Sequence, residues 1–461
     1  MATLITNLPL HLTSLLVLLV CLAAPLSCPA QMMVRSVPGG DPQSQDRNGL
    51  PALADDANGR DALSASANAA GPDGSVVSPG GGAPRPDEDE LIREYLSKAG
   101  PVGPRKLFSA TRLDTTFGVG VFYDDNILLS TGGGSRSDVV TTVVGGVRLS
   151  LGDFAQRVNT FAVLSYAGTG NFFARNGSEN SYDQDAVVEG LYRFHQLTVG
   201  STSIFQERHD ATADFGRRVA RDVYSEDFVA KYQRTDRTIF TGALHYDYDQ
   251  SDEQANTSDL TFTAALDYNL TGKISVGAGA VFGRLTASDD LEEYSQQGQL
   301  RLGYTVTNKI KAASSVGLEY RERGSEASDS VTPVFVATVN YTPFVDTVVD
   351  LEAHRRTEAS NALGGEDYVD TGFQLGVRQG FLKRFYLRLD VGYQNADYKN
   401  VTAADSIPRT DNYYSVRSTA GYDFVRWFQV LAFYERRQDE STRGGFSFVS
   451  NRVGMAINLN Y

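Results

Sequence analysis

From Thr111 to the last residue, apolar and polar side chains alternate with a period of two, segment after segment. Phe117, Val119, Val121 and Tyr123 alternate with Gly118, Gly120 and Phe122, and Val139, Thr141, Val143, Gly145 and Val147 with Val140, Thr142, Val144, Gly146 and Arg148. Leu260, Phe262, Ala264, Leu266 and Tyr268 stand opposite Thr261, Thr263, Ala265 and Asp267. Val453, Met455, Ile457, Leu459 and Tyr461 close the chain opposite Gly454, Ala456, Asn458 and Asn460. A period of two is the signature of a β-strand with two unlike faces, and it excludes amphipathic helices as the main element. After the N-terminus no apolar run is long enough to span a bilayer as a helix.

The polar face carries charge at Arg301, Glu319, Asp350, Glu352, Arg378, Arg388, Asp390, Arg417, Glu435 and Arg452. In a soluble sandwich the apolar face turns inward and these charges face water. In a membrane barrel the apolar face meets lipid and the charges line a wet interior. Connections decide between the two. Tight turns are expected at Gly152-Asp153, His195-Gln196, Thr235-Asp236, Thr271-Gly272, Thr307-Asn308, Thr342-Pro343, Leu382-Lys383 and Val425-Arg426. Between them lie longer polar stretches at 168–181, 210–221, 250–257, 288–293, 322–330, 358–366, 395–410 and 438–445. Short turns on one rim and long loops on the other are the asymmetry of outer-membrane barrels.

Eight such turns, with an opening and a closing strand, predict an all-β, transmembrane antiparallel barrel of about 18 strands, within a range of 16–20, over residues 105–461. That leaves about 20 residues per strand and half-loop, room for a tilted crossing of ~9–11 residues. Aromatic residues gather beside the turns (Tyr192, Phe194, Tyr268, Tyr304, Tyr341, Phe344, Phe381, Phe385, Tyr386, Phe424, Trp427, Phe428), as a headgroup-level girdle requires. The terminal Tyr461 resembles the C-terminal aromatic by which the barrel assembly machinery reads outer-membrane barrels. The expected setting is the bacterial outer membrane, with its lipid as the first partner.

The first thirty residues fit that destination. Residues 1–30 contain no Lys, Arg, Asp or Glu, and the run Leu15–Leu22 is followed by Ala23-Ala24-Pro25. This reads as a secretory signal peptide cleaved after Ala30, although no basic residue precedes the apolar run. Cys28 opens a lipoprotein alternative, against which Pro25 stands where an aliphatic residue is wanted. Both cysteines leave with the signal, so the exported chain has none. Residues 31–104 are rich in Gly, Pro, Ala and Asp and predict a disordered periplasmic arm with a short helix at 87–98. That arm is either a docking segment or partial plug, or a weakly helical tail.

The first strand runs through Phe117-Gly118-Val119-Gly120-Val121-Phe122 into Tyr123-Asp124-Asp125-Asn126. This segment resembles the Putative beta-barrel porin 2 family of outer-membrane proteins. The resemblance covers most of the barrel in pattern, and its sharp part is this one motif. It implies a porin-like barrel, with exopolysaccharide or surface-polymer genes as a setting. The residues themselves leave two readings for Asp124, Asp125 and Asn126. They are a turn cap bonding nearby amides, or oxygen ligands for a hard cation at the mouth, without EF-hand spacing around them.

Chemistry beyond transport finds little support. The net charge of −14 opposes nucleic-acid binding. Four histidines lie beyond the signal: His195 in a turn, His209 beside Asp210 at a loop base, and His245 and His354 on polar strand faces. No serine is placed for activation, and neither metal-ligand spacing nor a phosphate-binding turn is present. Asp350 and Glu352 form a pair that a catalytic couple could use, but Arg355 and Arg356 beside them favour an ordinary charge cluster. No enzyme, cofactor or metal is expected. The leading expectation is a passive channel for small hydrophilic or oligosaccharide solutes, with Phe122, Tyr413 and Phe433 as candidate sugar-stacking rings. The alternative is a closed structural or adhesive barrel acting through its acidic loops, plugged by inward side chains or by residues 31–104.

Overall fold

The computed structural model describes residues 111–460 except 132–133, 153–159, 213–216, 252–255, 288–290, 324–328, 360–366, 383 and 399–408. The signal at 1–30, the arm at 31–104 with its helix at 87–98, and Tyr461 lie outside the described residues.

The strands, in chain order, are β1 Thr111–Asp124, β2 Asp138–Gly152, β3 Phe161–Phe173, β4 Ser181–Phe194, β5 Leu197–Thr212, β6 Arg217–Gln233, β7 Thr238–Ser251, β8 Thr257–Asn269 and β9 Ile274–Ala287. They continue with β10 Leu291–Thr307, β11 Ile310–Arg323, β12 Ser330–Phe344, β13 Thr347–Ala359, β14 Asp367–Phe381, β15 Phe385–Tyr398, β16 Thr410–Val425, β17 Phe428–Ser441 and β18 Phe448–Asn460. Each pairs antiparallel with the next, and β1 also pairs with β18, so the 18-stranded sheet closes on itself. Closure removes both edges and satisfies every ladder within the wall, which is the condition for a sheet in hydrocarbon. An even strand number puts the start of β1 and the end of β18 on one rim, with Thr116 opposite Asn460.

The side chains sort as the alternation requires. Outward residues are large, apolar and exposed: Phe117, Val121, Leu164, Leu266, Leu300, Leu302, Leu318, Val453 and Ile457. Inward residues are polar and packed, among them Thr142, Asp185, Asp227, Gln299 and Asn458. The outer face also carries two levels of aromatic rings. Near the tight turns lie Phe194, Tyr232, Phe240, Tyr268, Tyr304, Phe344, Phe381, Phe424 and Trp427, and near the opposite rim Tyr123, Phe172, Tyr182, Tyr294, Tyr320, Tyr393 and Tyr414. Two girdles separated by an apolar band place the bilayer on this barrel, with the tight turns on the periplasmic side. Leu300, 66% exposed, lies inside that band. Leu300→Arg is expected to cost about 2–4 kcal/mol in urea unfolding from lipid vesicles, whereas Gln299→Arg, on the inner face, should cost far less.

Four expectations need correction. The connection at Gly152-Asp153 is not a tight turn, since β3 begins only at Phe161. The turn placed at Thr342-Pro343 lies at Val345-Asp346: β12 continues through Phe344, and its register with β13 breaks between Tyr341 and Phe344. Pro343 has no N–H for the ladder, so its position marks a break in pairing rather than the turn. The stretch 210–221 is mostly strand, with Thr212 pairing Arg217 across the top of the β5–β6 ladder, while half of 168–181 belongs to β3 and β4 and 174–180 form the connection between them. Polar character signals a loop where water lies outside, but in this barrel a polar residue is equally at home facing inward. Tyr386, expected in the girdle, points inward and is buried. Its ring covers Gly421, where an added Cβ would lie 2.2 Å from Tyr386 Cε1.

Candidate channel interior and barrel seam

The Tyr-Asp-Asp-Asn segment ends β1 at the seam with β18. Asp124 is buried; its Oδ1 accepts the N–H of Asn126 (2.8 Å) and the Ser450 hydroxyl (3.2 Å), and its Oδ2 accepts Arg452 Nε (2.7 Å). Asp125 accepts both the N–H and the Nδ2 of Asn451, each at 2.7 Å. Asn126 donates from Nδ2 to the carbonyls of Ser130 and Val449 and accepts the Ser130 N–H on Oδ1. The motif is therefore a turn cap, and it also clasps the first strand to the last. These oxygens are occupied by amides, a hydroxyl and a guanidinium rather than gathered around a cation. Tyr123 supplies a ring to the outer girdle.

Beyond the clasp the chain turns inward. Leu129, at φ 51°, is buried with Tyr413 and Phe448, while Ile127 joins an inner apolar cluster with Phe122, Val140, Phe173, Leu431 and Phe433. The three rings expected to stack sugars, Phe122, Tyr413 and Phe433, are therefore inward but packed in these clusters. Alternation predicted the side they face and could not show that a neighbouring loop covers them.

All ten candidate lumen charges share the inward face, and the fold gives each a partner. Arg452 joins Asp124 to Glu435, whose oxygen lies 3.7 Å from its Nη1. Arg301 reaches Asp267 on β8 (3.3 Å). Glu319 pairs with Arg321 (3.2 Å), which also meets Glu293 on β10 (3.2 Å). Arg323 bonds Asp367 at the start of β14. Arg388 pairs with Asp390 along one strand (2.9 Å). Arg378 lies 4.3 Å over the Tyr386 ring, and Arg417 lies 5.5 Å from the Phe433 centroid. Asp350 accepts Asn340 Nδ2 (2.9 Å).

Asp350 and Glu352 do not form an acid–base couple, because Glu352 is engaged by His354. The His354 ring lies between two carboxylates, with Nδ1 3.0 Å from Glu352 and Nε2 2.8 Å from Asp370. Carboxylates only accept, so both nitrogens must donate and the geometry fits an imidazolium. The ring lies over Gly372, where an added Cβ would sit 2.5 Å from its Cε1. Gly372 is thus part of the arrangement, and the sequence carries no signal for it beyond a glycine on a polar face. His245 repeats the pattern between Asp227 (3.2 Å) and Asp247 (2.9 Å). His209 faces Asp183 of β4 (3.2 Å). His195 sits in its turn at φ 49°, its ring edge-on to Phe194.

Some of these pairs join strands that are not neighbours. Asp367 at the start of β14 meets Arg321 (3.9 Å) and Arg323 of β11, three strands away in the sheet. Glu358 on β13 is ion-paired with Arg356 at 2.5 Å. Among the described residues no cluster of His, Asp and Glu is arranged to hold a metal ion.

A closed barrel with an apolar exterior and a charged interior is the architecture of a porin. A family model described as Putative beta-barrel porin 2 matches residues 113–461. The chain belongs to this family. Among solved structures, this porin-like barrel is similar to OccAB4 of Acinetobacter baumannii (10% identity, 77% of this chain and 99% of that one, TM-score 0.42). It is also similar to OccK3 (OpdO) of Pseudomonas aeruginosa (12%, 76% and 96%, TM-score 0.41) and to OccK2 (OpdF) of the same organism in complex with glucuronate (11%, 77% and 100%, TM-score 0.42). No curated protein matches the sequence. The family match and the barrel make this an outer-membrane, porin-like protein, with the clasp at the seam of the family's barrel.

Proposed function

We propose that this porin-like barrel is a passive diffusion channel for small hydrophilic solutes, oligosaccharides included. The observation that carries this reading is the run of ion pairs on the inner face of β8 to β14, Arg301–Asp267, Arg321–Glu293 and Arg323–Asp367. Fixed charges of both signs on an inner wall create a local field, which orders polar solutes by charge and size without a moving part. Water, polyols and short sugars can exchange hydrogen bonds with such a wall, while apolar solutes meet charge there. Its porin-family membership favours transport over catalysis. A role beside surface-polysaccharide export rests on the family's setting, and the burial of Phe122, Tyr413 and Phe433 gives it no stacking platform.

The test is single-channel recording of the refolded chain in a planar bilayer, with oligosaccharides added from either side. Steady conductance steps support the channel, and concentration-dependent block by a sugar polymer would add the export role. A folded barrel with no steps overturns the reading. That result would favour the second one, a closed adhesive barrel. Its structural support is the contact of Asp367 with Arg321 and Arg323 between non-adjacent strands, together with the inner apolar cluster. Deleting residues 31–104 separates occlusion by the arm from occlusion by the wall. Conductance that appears only in the deletion assigns the plug to the arm.

A further inference from the structure

On its outer face, between the two aromatic girdles, the wall is concave where β14–β18 meet β1 and β2. A groove of about 840 Å³ lies there, open to the side. Its floor includes Ala420 and Ala432, and its flanks include Leu387 and Leu389 on one side and Val121 and Met455 on the other. On the reverse of the same wall Leu431, Phe433 and Ala456 pack inward against Phe122, Val140 and Val144.

A charge stands above the hollow. Ala432, Tyr434 and Arg436 follow one another on the outer face of β17, and all three are exposed. Arg436 Nη2 donates to Gln438 Oε1 (3.0 Å), and the guanidinium forms no ion pair among the described residues. Across the ladder it faces Asn451, whose N–H and Nδ2 are held by Asp125. Gln438 passes its own amide to Glu440 (2.8 Å). Tyr434, at the level between hollow and charge, donates its hydroxyl to Asn451 Oδ1 (2.9 Å).

We infer that this face is a binding site for a phosphorylated lipid of the outer leaflet, with an acyl chain in the groove and the phosphate on Arg436. The girdles place the groove at hydrocarbon depth, and its flank reaches the outer girdle at Tyr123, so the chain comes from the outer leaflet. An acyl chain fits a hollow whose lining is mostly apolar; its polar lining residues are Gln379, Arg388, Ser418 and Thr419, and Arg388 is held by Asp390 (2.9 Å). The lipid phosphate supplies the anion that a guanidinium at the membrane surface selects. A second copy of the barrel does not fit as well, because two concave faces meeting about a two-fold axis enclose a void. The site is independent of whether the barrel conducts.

The experiment uses the full chain purified in mild detergent, delipidated, and titrated with lipid A under native mass spectrometry. One lipid A per barrel is the expected stoichiometry. Arg436→Gln should weaken binding about tenfold, by loss of a charge-assisted hydrogen bond. Ala420→Leu with Ala432→Leu should fill the groove and weaken binding independently of the charge. Both changes lie on the lipid-facing wall, and heat-modifiable gel migration confirms that each barrel is closed. Equal affinity of wild type and both variants overturns the site. A dimer that the double leucine variant dissociates overturns it in favour of a second copy.

Discussion

Asp124→Ala is expected to lower the unfolding free energy of the barrel by about 3–5 kcal/mol. Its carboxylate lies at the seam, 1% exposed, and neutralises Arg452, which is 8% exposed. Removing it leaves a buried guanidinium whose other carboxylate, Glu435, is 3.7 Å away. It also frees the Asn126 N–H and the Ser450 hydroxyl. The loss is concentrated where β1 meets β18, which has no chain connection to hold it. The barrel should therefore open at this seam before it opens elsewhere. In gel assays the variant should lose its compact, heat-modifiable form at a lower temperature or urea concentration than wild type. Asp124→Asn, which keeps the acceptor for Asn126 and Ser450, should recover part of the loss. A wild-type transition for Asp124→Ala would show that the clasp adds nothing to closure.

The second large effect concerns ion selectivity. Arg321 is the shared cation of Glu319, Glu293 and Asp367. Arg321→Gln leaves Glu293 and Asp367 with Arg323 as a remaining guanidinium and takes from Glu319 its ion-pair partner. Its removal should shift the cation-to-anion permeability ratio toward cations by roughly five- to tenfold, the effect of one charge in a confined, weakly screened interior. Glu319→Gln should move the ratio the other way. Reversal potentials in a salt gradient read both. A ratio unchanged in both variants would place the permeation path away from this cluster, while a shift of the same sign in both would remove the electrostatic account.

The two predictions differ in how far the sequence could reach them. Tyr123-Asp124-Asp125-Asn126 stood out as a motif, and its cap role follows from Asp and Asn at a strand end. Its role as a clasp needs Asn451, Val449 and Arg452, which lie more than three hundred residues away in the chain. Arg321 shares the polar face with Glu319 and differs from it in nothing that local pattern can register. Its place among three carboxylates depends on Asp367 reaching it from β14 and Glu293 from β10. Tyr386 shows the same limit: lying beside a turn predicts a girdle ring, while its side chain faces inward and the β15–β16 register sets it over Gly421.

By itself the sequence determined the strands, their two faces, their number and the inward direction of the charges. All four follow from the two-residue period of an extended chain and from the cost of leaving a backbone group unpaired in lipid. It also determined that β1 and β18 must meet, because an open edge in hydrocarbon has no partner. Tertiary structure alone decided which charges pair, which aromatics are covered and where the outer wall is hollow. Those are properties of register and curvature. They are set by which distant strands face one another once the sheet has closed, and period two is the same whichever strands those are.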